Sequence, residues 1–148
     1  MLVGLHPALS PQIVHILMRM GHGDTIVFAD ANFPSAAVAQ STCHPQPVEW
    51  TVDAITALGA VLGHFPIDLY DPEIPPVQGM AVVDMPGAIP EVVAEATPLF
   101  KAAGGFDVTL VERHAFYEAA RSCFAVVRTA ESRPYGNFIL RKGVVSAG

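Results

Sequence analysis

Apolar side chains recur at helical spacing from Ile13 through Leu17 to Met20, directly after Ser10-Pro11. A capping side chain followed by proline at the first helical position marks a helix start, and Gly21 marks its stop. The β-branched and apolar run Thr25-Ile26-Val27-Phe28-Ala29 predicts a buried strand with Asp30 at its carboxyl end. Ala31-Asn32-Phe33-Pro34 reads as a loop, and the proline-containing stretch from Cys43 to Val48 as irregular chain. Thr51 opens a second helix to about Gly63, with Ile55, Leu58 and Leu62 on one face, before Pro66. Pro72, Pro75 and Pro76 make Asp71 to Gly79 a surface loop.

Beyond it the pattern becomes regular. It predicts a strand over Met80 to Asp84, a helix from Ile89 to Ala103 with Pro98 as a kink site, and a strand over Phe106 to Val111. A helix from His114 to Ser122 follows, then strands over Phe124 to Thr129 and Phe138 to Val145. Strands alternating with helices predict an α/β fold, a single three-layer domain over residues 1–148 with a largely buried sheet.

Composition narrows the function classes. The 148 residues are 51% hydrophobic and only 15% charged, with a mean hydropathy of +0.41. A monomer of that composition would struggle to cover its apolar surface, which predicts a homo-oligomer. A net charge of −6, with lysine only at positions 101 and 142, supplies no basic footprint for nucleic acid or anionic lipid. Apolar runs are too short to span a membrane, and Met1 to Ser10 lacks the regions of a signal peptide. Cys43 and Cys123 are isolated thiols without Cys-x-x-Cys spacing, so the chain reads as cytoplasmic and without a zinc framework.

Ligands of open α/β sheets gather beyond the carboxyl ends of strands, which turns attention to three loop-borne polar clusters. The first is Gly21-His22-Gly23-Asp24 with Asp30-Ala31-Asn32. His22 lies between two glycines, and Asp30 is a carboxylate suited to fixing its tautomer, an acid/base pair. The plainer reading, which the residues favour by themselves, is a turn in which Asp24 caps local amides. The second cluster runs from Arg113 to Tyr117 at a helix start, where Arg113 beside Glu112 is by default a solvated charge. The third, Arg133-Pro134-Tyr135-Gly136-Asn137, offers donors and acceptors suited to sugar hydroxyls, or equally a hairpin turn.

Other motifs fall away. Gly21-His22-Gly23 follows a helix, the wrong order for a dinucleotide turn, and no phosphate-loop lysine is present. Cys43-His44 with His22 or His64 lacks paired metal-ligand spacing. Trp50, Phe65 and Tyr70 read as core or interface residues.

Taken together, Met20-Gly21-His22-Gly23-Asp24, Ala29-Asp30-Ala31-Asn32-Phe33-Pro34, Glu112-Arg113-x-x-Phe116-Tyr117-Glu118 and Tyr135-Gly136-Asn137 with Arg141-Lys142-Gly143 resemble the family of fucose mutarotases and ribose pyranases. The resemblance spans about Leu2 to Val145. It implies an enzyme that interconverts anomers or ring forms of free monosaccharides without metal or organic cofactor. It also implies a ring-forming α/β subunit, usually a decamer of two stacked pentamers, with sites near subunit contacts. His22 matches the family's catalytic histidine, and Asp30, Arg113, Tyr135 and Asn137 its sugar-binding positions, with Gly136 between the last two. Tyr117 falls where the fucose branch carries a tyrosine. Asn32 and Arg113 are similar to that branch, whereas the ribose branch typically carries Gly and His there. His114 stands where an aromatic residue is common, and the segment from Asp71 to Gly79 matches no family feature.

The expected activity is mutarotation of L-fucose by histidine general acid/base catalysis, with ribose pyranase activity or non-catalytic sugar binding as alternatives. Histidine suits the task because its ordinary pKa of about 6.5 makes both protonation states available near neutrality.

Overall fold

In the computed structural model, which describes residues 1–148, five helices and five strands alternate along the chain and a sixth strand follows the fifth directly. Helix α1 (Pro11–Arg19) is set by its first turn, where Ser10 Oγ accepts the Ile13 amide at 3.2 Å. Its far end is capped from a distance: Lys142 Nζ donates to the carbonyls of Leu17 and Met20 at 2.7 and 2.6 Å. Those are carbonyls that the helix itself leaves unpaired. Strand β1 (Thr25–Ala29) follows with the bounds that its β-branched run predicts.

Two elements escape the sequence pattern. Helix α2 (Ser35–Ala39) is a five-residue turn behind Pro34 with no side-chain cap. Strand β2 (Val48–Trp50) emerges from the stretch expected to be irregular. Helix α3 (Ala54–Leu62) starts later than predicted, because Asp53 rather than Thr51 accepts the amide of Thr56 at 2.7 Å. Strand β3 (Val77–Met80) lies ahead of the predicted Met80–Asp84 and within the expected proline loop. Helix α4 (Glu91–Gly104) runs through Pro98 and ends at Gly105, whose φ of 75° suits glycine. Strand β4 (Thr109–Val111), helix α5 (Arg113–Arg121), strand β5 (Ala125–Thr129) and strand β6 (Phe138–Arg141) complete the chain. Strand β6 ends four residues before the predicted Val145.

The strands form one sheet in the order β2-β5-β1-β6-β3-β4. Only β6 runs antiparallel to its neighbours β1 and β3. Side chains alternate across β1, so Ile26 and Phe28 join α1, α3 and α4 in one core while Val27 and Ala29 join α2 and α5 in another. Helices therefore cover both faces, a three-layer α/β arrangement. Trp50 and Phe65 are buried, whereas Tyr70 is exposed. No helix is long and apolar enough to cross a membrane.

This topology sorts the loops to two edges. The carboxyl ends of β1, β3, β4 and β5 and the amino end of β6 share one edge, which receives Asp30, Val83, Arg113, Glu131 and Asn137. The opposite edge holds the start of β1 and the end of β6, where Thr25 pairs with Arg141.

Candidate active site

At the carboxyl edge, Asp30 closes β1 with a turn in which its Oδ1 accepts the amides of Asn32 and Phe33 at 3.0 and 2.9 Å. Its other oxygen accepts Asn137 Nδ2 at 3.1 Å, and Asn137 Oδ1 accepts the Asp30 amide at 2.8 Å. Both residues are buried. Burial pushes the Asp30 carboxyl above its ordinary value, opposed by these hydrogen bonds.

Asp30 and Asn137 line a cavity of about 200 Å³ together with Arg113, Tyr117, Tyr135 and Phe33. Arg113 and Tyr117 are four positions apart on α5 and so reach the cavity from one helix face. Tyr117 packs on Phe33 with ring centroids 5.5 Å apart. Tyr135 takes a φ of 62°, unusual for a side-chain-bearing residue. Its Oη accepts the Val83 amide at 3.2 Å. Gly136 lies between them where no side chain fits: a Cβ there would stand 2.7 Å from Glu131 Cγ. Thus six of the seven residues singled out from the sequence come together.

His22 does not join them. It lies before β1 and Asp30 beyond it, and the four residue steps from Thr25 to Ala29 alone span about 13 Å. The expected His22–Asp30 pair is therefore absent within one chain. Instead His22 Nε2 lies 3.2 Å from Oδ2 of Asp68, with the His22 side chain 49% exposed and that of Asp68 only 5%. Arg141 Nε donates to the same oxygen at 2.8 Å, and the Tyr70 amide to Oδ1 at 3.1 Å. The Arg141 hydrogen bond holds the Asp68 carboxyl below the usual range, so it is ionised at neutral pH. An ionised carboxylate only accepts, so His22 Nε2 is the donor in this contact, and Nδ1 makes no hydrogen bond.

Asp68 has no sequence signal, since 46 residues separate it from His22. It arrives through the bridge between Ile67 and Lys142, which sets Asp68 beside Arg141. Asp24 plays the role of the plainer sequence reading, accepting the Gly21 amide at 2.7 Å. Around His22 opens an apolar cleft of about 490 Å³, lined among others by Leu5, Leu17, Met18, Val144 and Val145. No three His, Cys, Asp or Glu side chains are grouped to hold a metal ion.

Comparison with known proteins gives this geometry a family. Residues 3–145 match the model of the RbsD / FucU transport protein family. The chain is 40% identical over 149 residues to the fucose mutarotase of Danio rerio, covering 97% of this chain and 94% of that protein. It is likewise 40% identical over 150 residues to the fucose mutarotase of Homo sapiens, covering 98% and 95%. Among solved structures, the fucose mutarotase of Streptococcus pneumoniae in complex with L-fucose superposes with a TM-score of 0.86 at 34% identity, covering 98% of this chain and all of that one. On the sequence match and the shared fold, the chain belongs to the RbsD / FucU family.

Proposed function

We propose that this protein is a monosaccharide mutarotase that interconverts the α and β anomers of L-fucose. One observation carries the reading: the buried Asp30–Asn137 pair, Arg113, Tyr117 and Tyr135 converge on one small polar cavity in a chain similar to fucose mutarotases over nearly its whole length. A free sugar presents a ring of hydroxyls, each both donor and acceptor. Carboxylate, amide, guanidinium and phenol groups on a rigid sheet edge are suited to reading their positions.

Mutarotation requires a proton delivered to the ring oxygen and one removed from the anomeric hydroxyl. The ring opens to the aldehyde, the C1–C2 bond rotates, and the hydroxyl recloses on the other face. In this reading neutral His22 takes the anomeric hydroxyl proton at Nδ1 and the imidazolium gives a proton to the ring oxygen as its bond to C1 breaks, while ionised Asp68 orients the imidazole and stabilises its charged form. Arg141 in turn keeps Asp68 ionised and in place. Asp30, Arg113, Tyr117, Tyr135 and Asn137 hold the sugar.

Because His22 and the cavity occupy opposite edges of one sheet, a complete site combines His22 of one copy with the cavity of another. Apolar surface flanks both halves: Met18 and Val145 are exposed in the cleft around His22, and the exposed Val83 lines the cavity. Burying one against the other would join the half-sites head to tail, a contact that closes into a ring. This supports the expected homo-oligomer, for which a decamer is the assembly proposed. The unpaired thiols of Cys43 and Cys123 support a reducing, cytoplasmic setting.

Exchange NMR on equilibrated L-fucose tests the reading. Enhanced exchange between the anomeric signals is expected with protein present. Enhancement of ribose pyranose–furanose exchange alone would replace it with ribose pyranase activity, and binding without enhanced exchange would leave a sugar-binding protein.

A further inference from the structure

Resting on the reading of the Asp30–Asn137 cavity as the sugar site, we propose that Glu131 is a positioning residue for it. Its buried carboxylate locks the Arg133–Asn137 loop onto the sheet edge, so that Tyr135 and Asn137 meet the sugar in fixed geometry.

Glu131 follows β5, is only 3% exposed, and does not line the cavity. Its Oε1 accepts the amide and Nε of Arg133 at 3.0 and 2.8 Å. Its Oε2 accepts Arg133 Nη2 at 3.0 Å and the Ala54 amide, at the start of α3, at 3.3 Å. Arg133 Nη1 continues to Glu91 and Glu95 on α4, at 3.2 and 2.5 Å. The main chain of Glu131 serves the other half of the cavity. Its carbonyl accepts the amide of Ala31 at 2.8 Å, inside the turn that Asp30 caps. One residue thus ties the Asp30 turn, the Tyr135 loop and two helices to the same edge.

The loop rests on the Glu131 stem, since the absent Cβ of Gly136 would meet Glu131 Cγ at 2.7 Å and Asp30 Cβ at 3.5 Å. Tyr135 next to it sits in the left-handed region, which persists only where surrounding contacts over-determine it. A buried carboxylate is a costly way to gain stability alone, because an apolar side chain of similar volume fills such a site without a desolvation penalty. What the carboxylate adds is direction: four N–H groups converge on two oxygens and leave the loop one arrangement. The Arg133 hydrogen bond holds the carboxyl down at about 2, so the clamp stays charged across the neutral range.

The test compares Glu131→Gln, Arg133→Lys, Asn137→Ala and a core variant remote from the loop, Val61→Ala, in the fucose exchange assay with melting temperature recorded for each. Glu131→Gln is expected to raise KM about tenfold while kcat stays within about twofold, because the loop is loosened without touching the proton-transfer group. Arg133→Lys, which loses the planar fork, should reproduce the split and carries the test alone if Glu131→Gln fails to fold. Val61→Ala should lower the melting temperature with KM unchanged. An unchanged KM in the Glu131 and Arg133 variants beside a raised KM in Asn137→Ala overturns the positioning role. So does a KM rise in Val61→Ala matching that of Glu131→Gln. Should Asn137→Ala also leave KM unchanged, the cavity is not the sugar site and the proposal falls with that reading.

Discussion

Asp30 and Asn137, 107 positions apart in sequence, exchange two hydrogen bonds, main-chain amide to side-chain oxygen and side-chain amide to carboxylate, at 2.8 and 3.1 Å. The pair welds the end of β1 to the start of β6 and presents both groups to one cavity. Asn137→Ala should remove the partner from two buried polar groups at once and cost about 1–3 kcal/mol of stability. It should also weaken fucose affinity. Thermal denaturation and titration calorimetry read the two effects separately, and unchanged affinity would move the sugar contacts elsewhere.

The His22–Asp68 pair makes a graded prediction. His22→Ala should lower kcat by about 10²- to 10⁴-fold, the usual contribution of a positioned acid/base group, with the assembly still folded. Asp68→Asn should also lower kcat, because an amide neither stabilises the imidazolium nor fixes which nitrogen bears the proton. Full activity in purified His22→Ala would end the assignment.

A site shared between copies can be tested by mixing two defective proteins. His22→Ala keeps its cavity and Asn137→Ala keeps its histidine, so co-assembly restores sites in which each copy supplies its intact half. At equal, random mixing in a head-to-tail ring about a quarter of the sites should be intact, and activity should recover accordingly. No recovery in co-refolded mixtures of verified composition would end the reading of a site shared between copies.

Glu131 sets an acid-side dependence of stability. Its pKa falls from 4.5 in the unfolded chain to about 2 in the folded one. The folded state therefore binds the proton less readily, and the stabilisation is complete above about pH 4.5 and lost as pH falls through about 2. At about 1.4 kcal/mol per unit the full effect is about 3 kcal/mol. Glu131→Gln should flatten the acid limb of stability against pH, and urea melts from pH 2 to 7 measure it. Parallel limbs in the two proteins would contradict the ion pair's contribution.

Much of this organisation was legible in the residues. Strand β1 is a continuous β-branched and apolar run because it is buried on both faces, and the capping signals of α1 lie in adjacent residues. The polar residues of the cavity stood out because they sit in short loops between such runs. Elements that owe their form to neighbours were hidden. Helix α2 is too short to show a period, and β2 has three residues that become a strand only by pairing with β5. Strand β3 lies just past Pro75-Pro76 and is held between β4 and β6.

By itself the sequence determined the alternation of elements, the apolar faces, and which residues carry chemistry, because those follow from local periodicity and side-chain type. Tertiary structure decided which of those residues meet. The reversal of β6 brings Asn137 to Asp30 at one edge and Arg141, with Asp68, to His22 at the other. Spacing along the chain put His22 and Asp30 eight positions apart, but an extended strand turns that short separation into opposite ends of a sheet. Long-range pairing therefore gave His22 a different carboxylate and set it at the sheet edge opposite the cavity.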